Sequence, residues 1–212
     1  MPKTRKPQQE RSRNTVAAIV ESGLLCLKRY GVEGTTTRKI ADTAGIGVGS
    51  LYEYFADKEE VFNAVHEHVV GEIVAIVRPL IPELVKLPPQ DATRALLYAF
   101  RGFLRQKDNL YLSYATQMGH FTPGRYLKPL NQVLADLTIQ FMMHHPELSR
   151  LPNIAVMSYI MIHGGIATVI RHLTDPSPSF DFEALTEGLS RMVQYNIEGD
   201  LRRIEHPDPS AL

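Results

Sequence analysis

The stretch Thr35–Phe62, TTTRKIADTAGIGVGSLYEYFADKEEVF, constrains the fold of this chain more than any other. Ile40, Ala44, Ile46, Leu51 and Phe55 recur at spacings that let two short helices share one small core. Gly45 stands where the first helix must stop and the chain turn sharply, which suits a residue that takes positive φ without steric cost. Thr36 or Thr37 can cap that first helix, and Asp57 can cap a third beginning at Lys58. Between them, Val48 to Phe55 makes roughly 12 Å of helix at 1.5 Å per residue, about the width of a DNA major groove. The pattern is a helix-turn-helix, with its second helix placed to lie across that groove.

The run Thr37-Arg38-Lys39-Ile40-Ala41-Asp42-Thr43-Ala44-Gly45, then Gly49-Ser50-Leu51-Tyr52-Glu53-Tyr54-Phe55 and Lys58-Glu59, resembles the TetR family of bacterial transcriptional regulators. The resemblance runs from Gln9 to about Val65; the remainder is similar only in length and helical character. It implies a basic flexible arm at 1–8, a helix-turn-helix domain at 9–57, a helical regulatory domain at 58–206 and a tail at 207–212. It also implies recognition-helix side chains at base edges and two aromatic residues at phosphates. Those aromatic positions are Tyr52 and Tyr54, whose phenols can donate to phosphate oxygens. Lys58, Thr37 and Arg38 would add phosphate contacts, leaving Val48, Gly49, Ser50 and Glu53 to face the bases. Gly47 stands where the family usually has a Ser or Thr cap, and Val48 where a long polar residue is frequent. Valine offers only apolar contact to a thymine methyl, Ser50 a donor or acceptor, and Glu53 an acceptor for cytosine N4 or simply a solvated charge. Direct readout is therefore thin, and groove shape and water carry much of the specificity expected here.

Overall charge gives no pointer to a partner, because 23 basic residues meet 23 acidic ones. Its distribution does: Lys3, Arg5, Lys6, Arg11 and Arg13 stand against Glu10 at the N-terminus. Such an arm can follow phosphates or enter a minor groove, and as a solvated tail it has the same composition. Cys26 alone represents its residue type, which excludes an intrachain disulfide; it falls in a helix at 10–30 whose stripe is Val16, Ile19, Val20, Leu24 and Leu27. The N-terminus has no apolar stretch of signal-peptide type. Ile154–Ile170 is almost uniformly apolar but carries Ser158, His163 and Thr168, and reads as a buried interface helix instead of a membrane span. The expected location is the cytoplasm, with no membrane partner.

Beyond residue 58 the pattern is helical throughout, broken where proline and glycine dictate. Helices are expected at Lys58 to about Val77, ending before Pro79 and Pro82, and from an N-cap at Asp91 to about Gln106. Others are expected at Asn109–Met118, from Pro123 to His144 or His145, at Leu151–Leu173 and at Phe182–Arg203. With the three before them they make about nine, an all-α chain with a small DNA-binding head and a larger body. The last two helices carry Met157, Ile160, Met161, Gly164 and Ile170, then Leu185, Leu189, Met192 and Val193. The resemblance implies that they form a four-helix interface in a homodimer on a palindromic operator; as plain monomer core they would look the same.

The middle helices are rich in aromatic residues and methionine, which suits a small apolar or aromatic effector and equally suits core packing. The candidates are Phe103, Tyr111, Tyr114, Met118, His120, Phe121, Tyr126, Met142 and, for a polar contact, His163. His66 with His68 and His144 with His145 lack metal-ligand spacing, so no metal or cofactor is expected. No nucleophile–base arrangement or phosphate-binding glycine loop supports an enzyme. Repression and activation are not separable from the sequence.

Overall fold

A computed structural model describes residues 6–118 and 124–206, and among these it holds nine α-helices and no strand. They are α1 (Lys6–Gly34), α2 (Thr37–Ala44), α3 (Val48–Tyr52), α4 (Lys58–Leu84), α5 (Pro89–Leu104), α6 (Gln106–Met118), α7 (Gly124–His144), α8 (Ile154–Thr174) and α9 (Phe182–Glu205). A 3₁₀ turn, Pro146–Arg150, precedes α8. Residues 1–5, with Lys3 and Arg5 of the basic arm, and the tail from 207 lie outside the described residues, as do His120 and Phe121.

The helices pack as two units. The first comprises α1–α3, α4 as far as Glu72, and residues 105–127 with α6. Ile19, Leu24 and Leu27 of α1 are buried in it, with Ile40, Leu51, Val61 and Val65. Gly23 is required where α1 meets α4: a methyl carbon there would lie 2.9 Å from Val61 Cγ1 and 3.3 Å from Val65 Cγ2. Gly23→Val should therefore cost about 2 kcal/mol by overpacking, lowering the melting midpoint by roughly 6 °C. Gly71→Ala is the control, since the added carbon meets nothing within 4 Å. It should stabilise by up to about 1 kcal/mol in the same calorimetric scan.

The second unit holds the C-terminal half of α4 with α5, most of α7, α8 and α9. Its core contains Ile81, Leu84, Val85, Ala92, Val133 and Leu137. The His145 ring closes the end of α7, stacking on Phe141 and donating from Nε2 to the Val85 carbonyl at 3.0 Å. Arg94 joins α5 to α9, paired with Asp91 at 2.9 Å and with Glu187.

Several boundaries differ from the pattern-based expectation. α4 does not stop before Pro79 but continues through Pro82 to Leu84. Interior proline removes a donor and crowds the preceding turn, yet Ile81 and Leu84 bury their side chains only if the helix goes on. α5 starts at Pro89, where a missing N–H costs nothing, and Asp91 sits in its first turn instead of at its cap. α3 is shorter than Val48–Phe55: the Leu51 carbonyl accepts from both Tyr54 and Phe55, tightening the end at Tyr52. α1 starts at Lys6 and is interrupted by non-helical backbone at Gly31.

Candidate nucleic-acid interface

α2 and the start of α4 are bounded by caps that the sequence places correctly. Thr36 caps α2, its Oγ1 accepting from the Lys39 N–H at 3.2 Å. Gly45 ends it with φ 69°, and Gly45 and Ile46 return N–H bonds to the last turn. Asp57 Oδ1 accepts from the Glu60 N–H at 2.8 Å, while Glu60 Oε2 accepts from the Ala56 N–H at 2.6 Å, fixing the start of α4. Lys39 donates to the Gly34 carbonyl at 2.7 Å with its ammonium 4.2 Å from the Tyr30 ring, tying α2 to α1.

Leu51 is fully buried and Phe55 nearly so, which turns the rest of α3 outward. Val48, Gly49, Ser50, Tyr52 and Glu53 are all exposed, and so is Arg38 on α2. Gly47, the cap of α3, makes no side-chain bond. Thr37 Oγ1 and Tyr52 Oη lie 3.1 Å apart, so the two sequence candidates from different helices form one hydroxyl pair at the surface. Each hydroxyl keeps further hydrogen-bonding capacity that a phosphate oxygen can use. Tyr54 is half-buried. Lys58 is half-buried too, its Nζ 3.4 Å from the Val32 carbonyl and over the Phe62 ring at 5.6 Å. That ammonium reaches back to α1 instead of standing free over the face.

The other candidates fall in two places. Tyr111 and Tyr114 of α6 are buried in the first unit, and Tyr126 stacks on His66 with ring centroids 5.3 Å apart. His66 Nδ1 is 2.6 Å from Tyr114 Oη. Burial pushes the Tyr111 phenol above its ordinary pKa, leaving it a neutral hydroxyl. Met118 ends α6. Phe103, buried, and Met142, half-buried, belong to the second unit. His163 is exposed on α8, its ring 4.3 Å from that of Tyr159. His66 was missed as a member of this group; its spacing in the Phe62, His66, Val70 series on α4 was the available signal. Among the described residues no three His, Cys, Asp or Glu side chains gather as a metal site.

On α8 and α9 an apolar surface stands open. Ile160 and Met192 are each more than half exposed, and Gly164 is exposed beside them in the series. Met157, Met161, Ile170, Leu189 and Val193 are half-buried, whereas Leu185 is buried within the chain itself. Val156, Tyr159 and Tyr195, which periodicity did not single out, are exposed on the same two helices. α8 is long and apolar enough to cross a membrane by length and composition alone, with only 11% of its apolar window buried within the chain.

Comparison with known proteins gives three findings. Residues 19–65 match the family described as "Bacterial regulatory proteins, tetR family". The HTH-type transcriptional repressor AcnR of Corynebacterium diphtheriae is 30% identical over 59 residues, 28% of this chain; the match spans only 31% of that relative. Among solved structures, a putative transcriptional regulator from Pseudomonas aeruginosa PAO1 superposes with a TM-score of 0.68 at 18% identity, covering 94% of this chain and 96% of that one. The regulator FadR of Bacillus subtilis, solved with stearoyl-CoA, gives 0.65 at 14% identity, covering 85% and 98%. The structural likeness extends the shared all-α fold over nearly the whole chain.

Proposed function

We propose that this chain, whose residues 19–65 match the TetR family of bacterial regulatory proteins, is a cytoplasmic repressor that grips a palindromic operator as a homodimer and is released by a small apolar or aromatic effector. The observation that carries the reading is the outward set on α3. With Leu51 anchoring the helix, Val48, Gly49, Ser50 and Glu53 face solvent beside the Thr37–Tyr52 hydroxyl pair. Bases meet the first group and phosphates the second.

One recognition helix of five residues reaches few base edges, so a second copy is needed for tight binding. The open apolar surface of α8 and α9 supplies the place for it, the two copies packing as four helices about a two-fold axis. Tyr111, Tyr114 and Tyr126, all in the first unit, supply aromatic surface for an effector, and FadR, of the same fold, is solved with stearoyl-CoA. An effector acts only through unequal affinity for two states. About 5.5 kcal/mol of preference turns a 1:99 population into 99:1.

The test is selection of genomic fragments by the purified protein, followed by sequencing. A recurring palindrome with half-sites about one helical turn apart is expected; retention without sequence preference would count against the reading. On the selected operator, Tyr52→Phe should weaken binding about fivefold and equally across sequence variants, the effect of about 1 kcal/mol lost with a phosphate-facing hydroxyl. Titration by fluorescence anisotropy at fixed salt checks it, and unchanged affinity would remove Tyr52 from the interface.

A further inference from the structure

Two ion pairs reach from one side of α1 to the start of α6. Lys28 Nζ is 2.6 Å from Asp108 Oδ2 and donates also to the Asp108 carbonyl. Lys107 Nζ is 3.3 Å from Glu21 Oε1. Glu21 and Lys28 are seven residues apart and so lie along one face of α1, two turns from each other. What they hold is a single left-handed turn built without glycine: Lys107, Asp108 and Asn109 have φ of 47°, 56° and 60°. In that conformation each Cβ crowds the following carbonyl oxygen, and consecutive residues of this kind are avoided. The pairs opposing this strain are solvent-exposed, hence individually weak and screened by salt. The Lys28 ammonium holds the Asp108 carboxyl below its ordinary pKa. The pair is therefore intact at neutral pH and fades only as acid protonates the carboxylate.

The position of this turn gives it consequence. The chain passes between its two packing units at residues 72/73, 104/105 and 127/128. The first and third crossings run inside the helices α4 and α7. The second leads into the left-handed turn, which lies in the first unit together with α1, α2 and α3. We propose that residues 107–109 are a strained latch that keeps α6 seated on α1, within the same unit that holds α2 and α3. Gripped by Glu21 and Lys28, the turn stays left-handed, α6 stays on α1, and α1 holds α2 and α3 in their DNA-binding posture. Released, the turn relaxes to right-handed backbone and α6 loses its hold on α1. The proposal rests on the reading of the chain as a ligand-responsive regulator.

The test uses the full chain with three variants and three readouts: hydrogen exchange at residues 107–112, the melting midpoint, and operator affinity at fixed salt. Lys28→Gln should speed exchange there about tenfold and weaken operator binding about fivefold while the dimer persists. Asn109→Gly keeps the grip and relieves the strain, so it should slow that exchange and raise the midpoint by about 2 °C. The charge swap Lys28→Glu with Asp108→Lys should return exchange toward wild type, which neither single change does. A midpoint that falls with Asn109→Gly, as for glycine in an unstrained loop, would overturn the latch, and so would unchanged exchange in Lys28→Gln. Altered exchange with unaltered operator affinity would make the turn merely structural and overturn its link to DNA. A wild-type chain that selects no operator overturns the regulator reading itself, a result separable from the exchange data.

Discussion

Ile160→Glu should leave each chain folded and abolish the proposed dimer. Ile160 is 53% exposed in the single chain, so the substitution removes little from the monomer's own packing, and its melting should move by no more than about 0.5 kcal/mol. Across a two-fold interface the outcome is different. In the proposed dimer each new carboxylate would be buried in the apolar surface that holds Tyr159 and Met192. About 4 kcal/mol of penalty raises the dissociation constant roughly a thousandfold. Sedimentation velocity at micromolar concentration should then show monomer, and binding to the full palindrome should fall to that of one half-site. A variant that still sediments as a dimer would move the interface away from α8 and α9.

Leu51→Ala should show the reverse dissociation of effects. Leu51 is fully buried and is the one residue of α3 that anchors it to the small core. Its carbonyl also accepts the N–H bonds of Tyr54 and Phe55, which end α3. Truncation should cost about 3 kcal/mol, a large part of what so small a helical head can hold. Operator binding should be lost while the α8–α9 dimer persists in sedimentation. Retention of affinity within a factor of three would mean that α3 is positioned by something other than Leu51.

The head was legible in the sequence because its signals are local and agree with one another. Thr36, Gly45 and Asp57 sit where caps and turns require them, and Leu51 and Phe55 are apolar among polar neighbours. The later helices were legible as helices but less so in their limits. Pro79 and Pro82 mark an end by every local rule, and the burial of Ile81 and Leu84 overrides it. A break between about Gln106 and Asn109 was legible, but not its left-handed backbone, since Lys, Asp and Asn in series carry no glycine to announce positive φ.

The apolar surface was legible only in outline. α8 is apolar nearly all round, so periodicity finds its helix but cannot say which stripe faces inward. Leu185 was therefore grouped with exposed residues, and Tyr159 and Tyr195 were overlooked. The aromatic candidates met the same ambiguity: Tyr111 and Tyr114 proved buried, while His163 stands at the surface.

The outward residues of α3 carry one more consequence. Val48, Ser50 and Glu53 are exposed, and a side chain added at Gly47 or Gly49 would meet no heavy atom of the chain within 4 Å. Substitutions there leave the folded head nearly as stable as before. Drift at these positions is thus uncoupled from survival of the fold, and under the proposed function descendants of one gene acquire new genomic addresses by a handful of codon changes while every cap, core residue and turn beneath stays as it was.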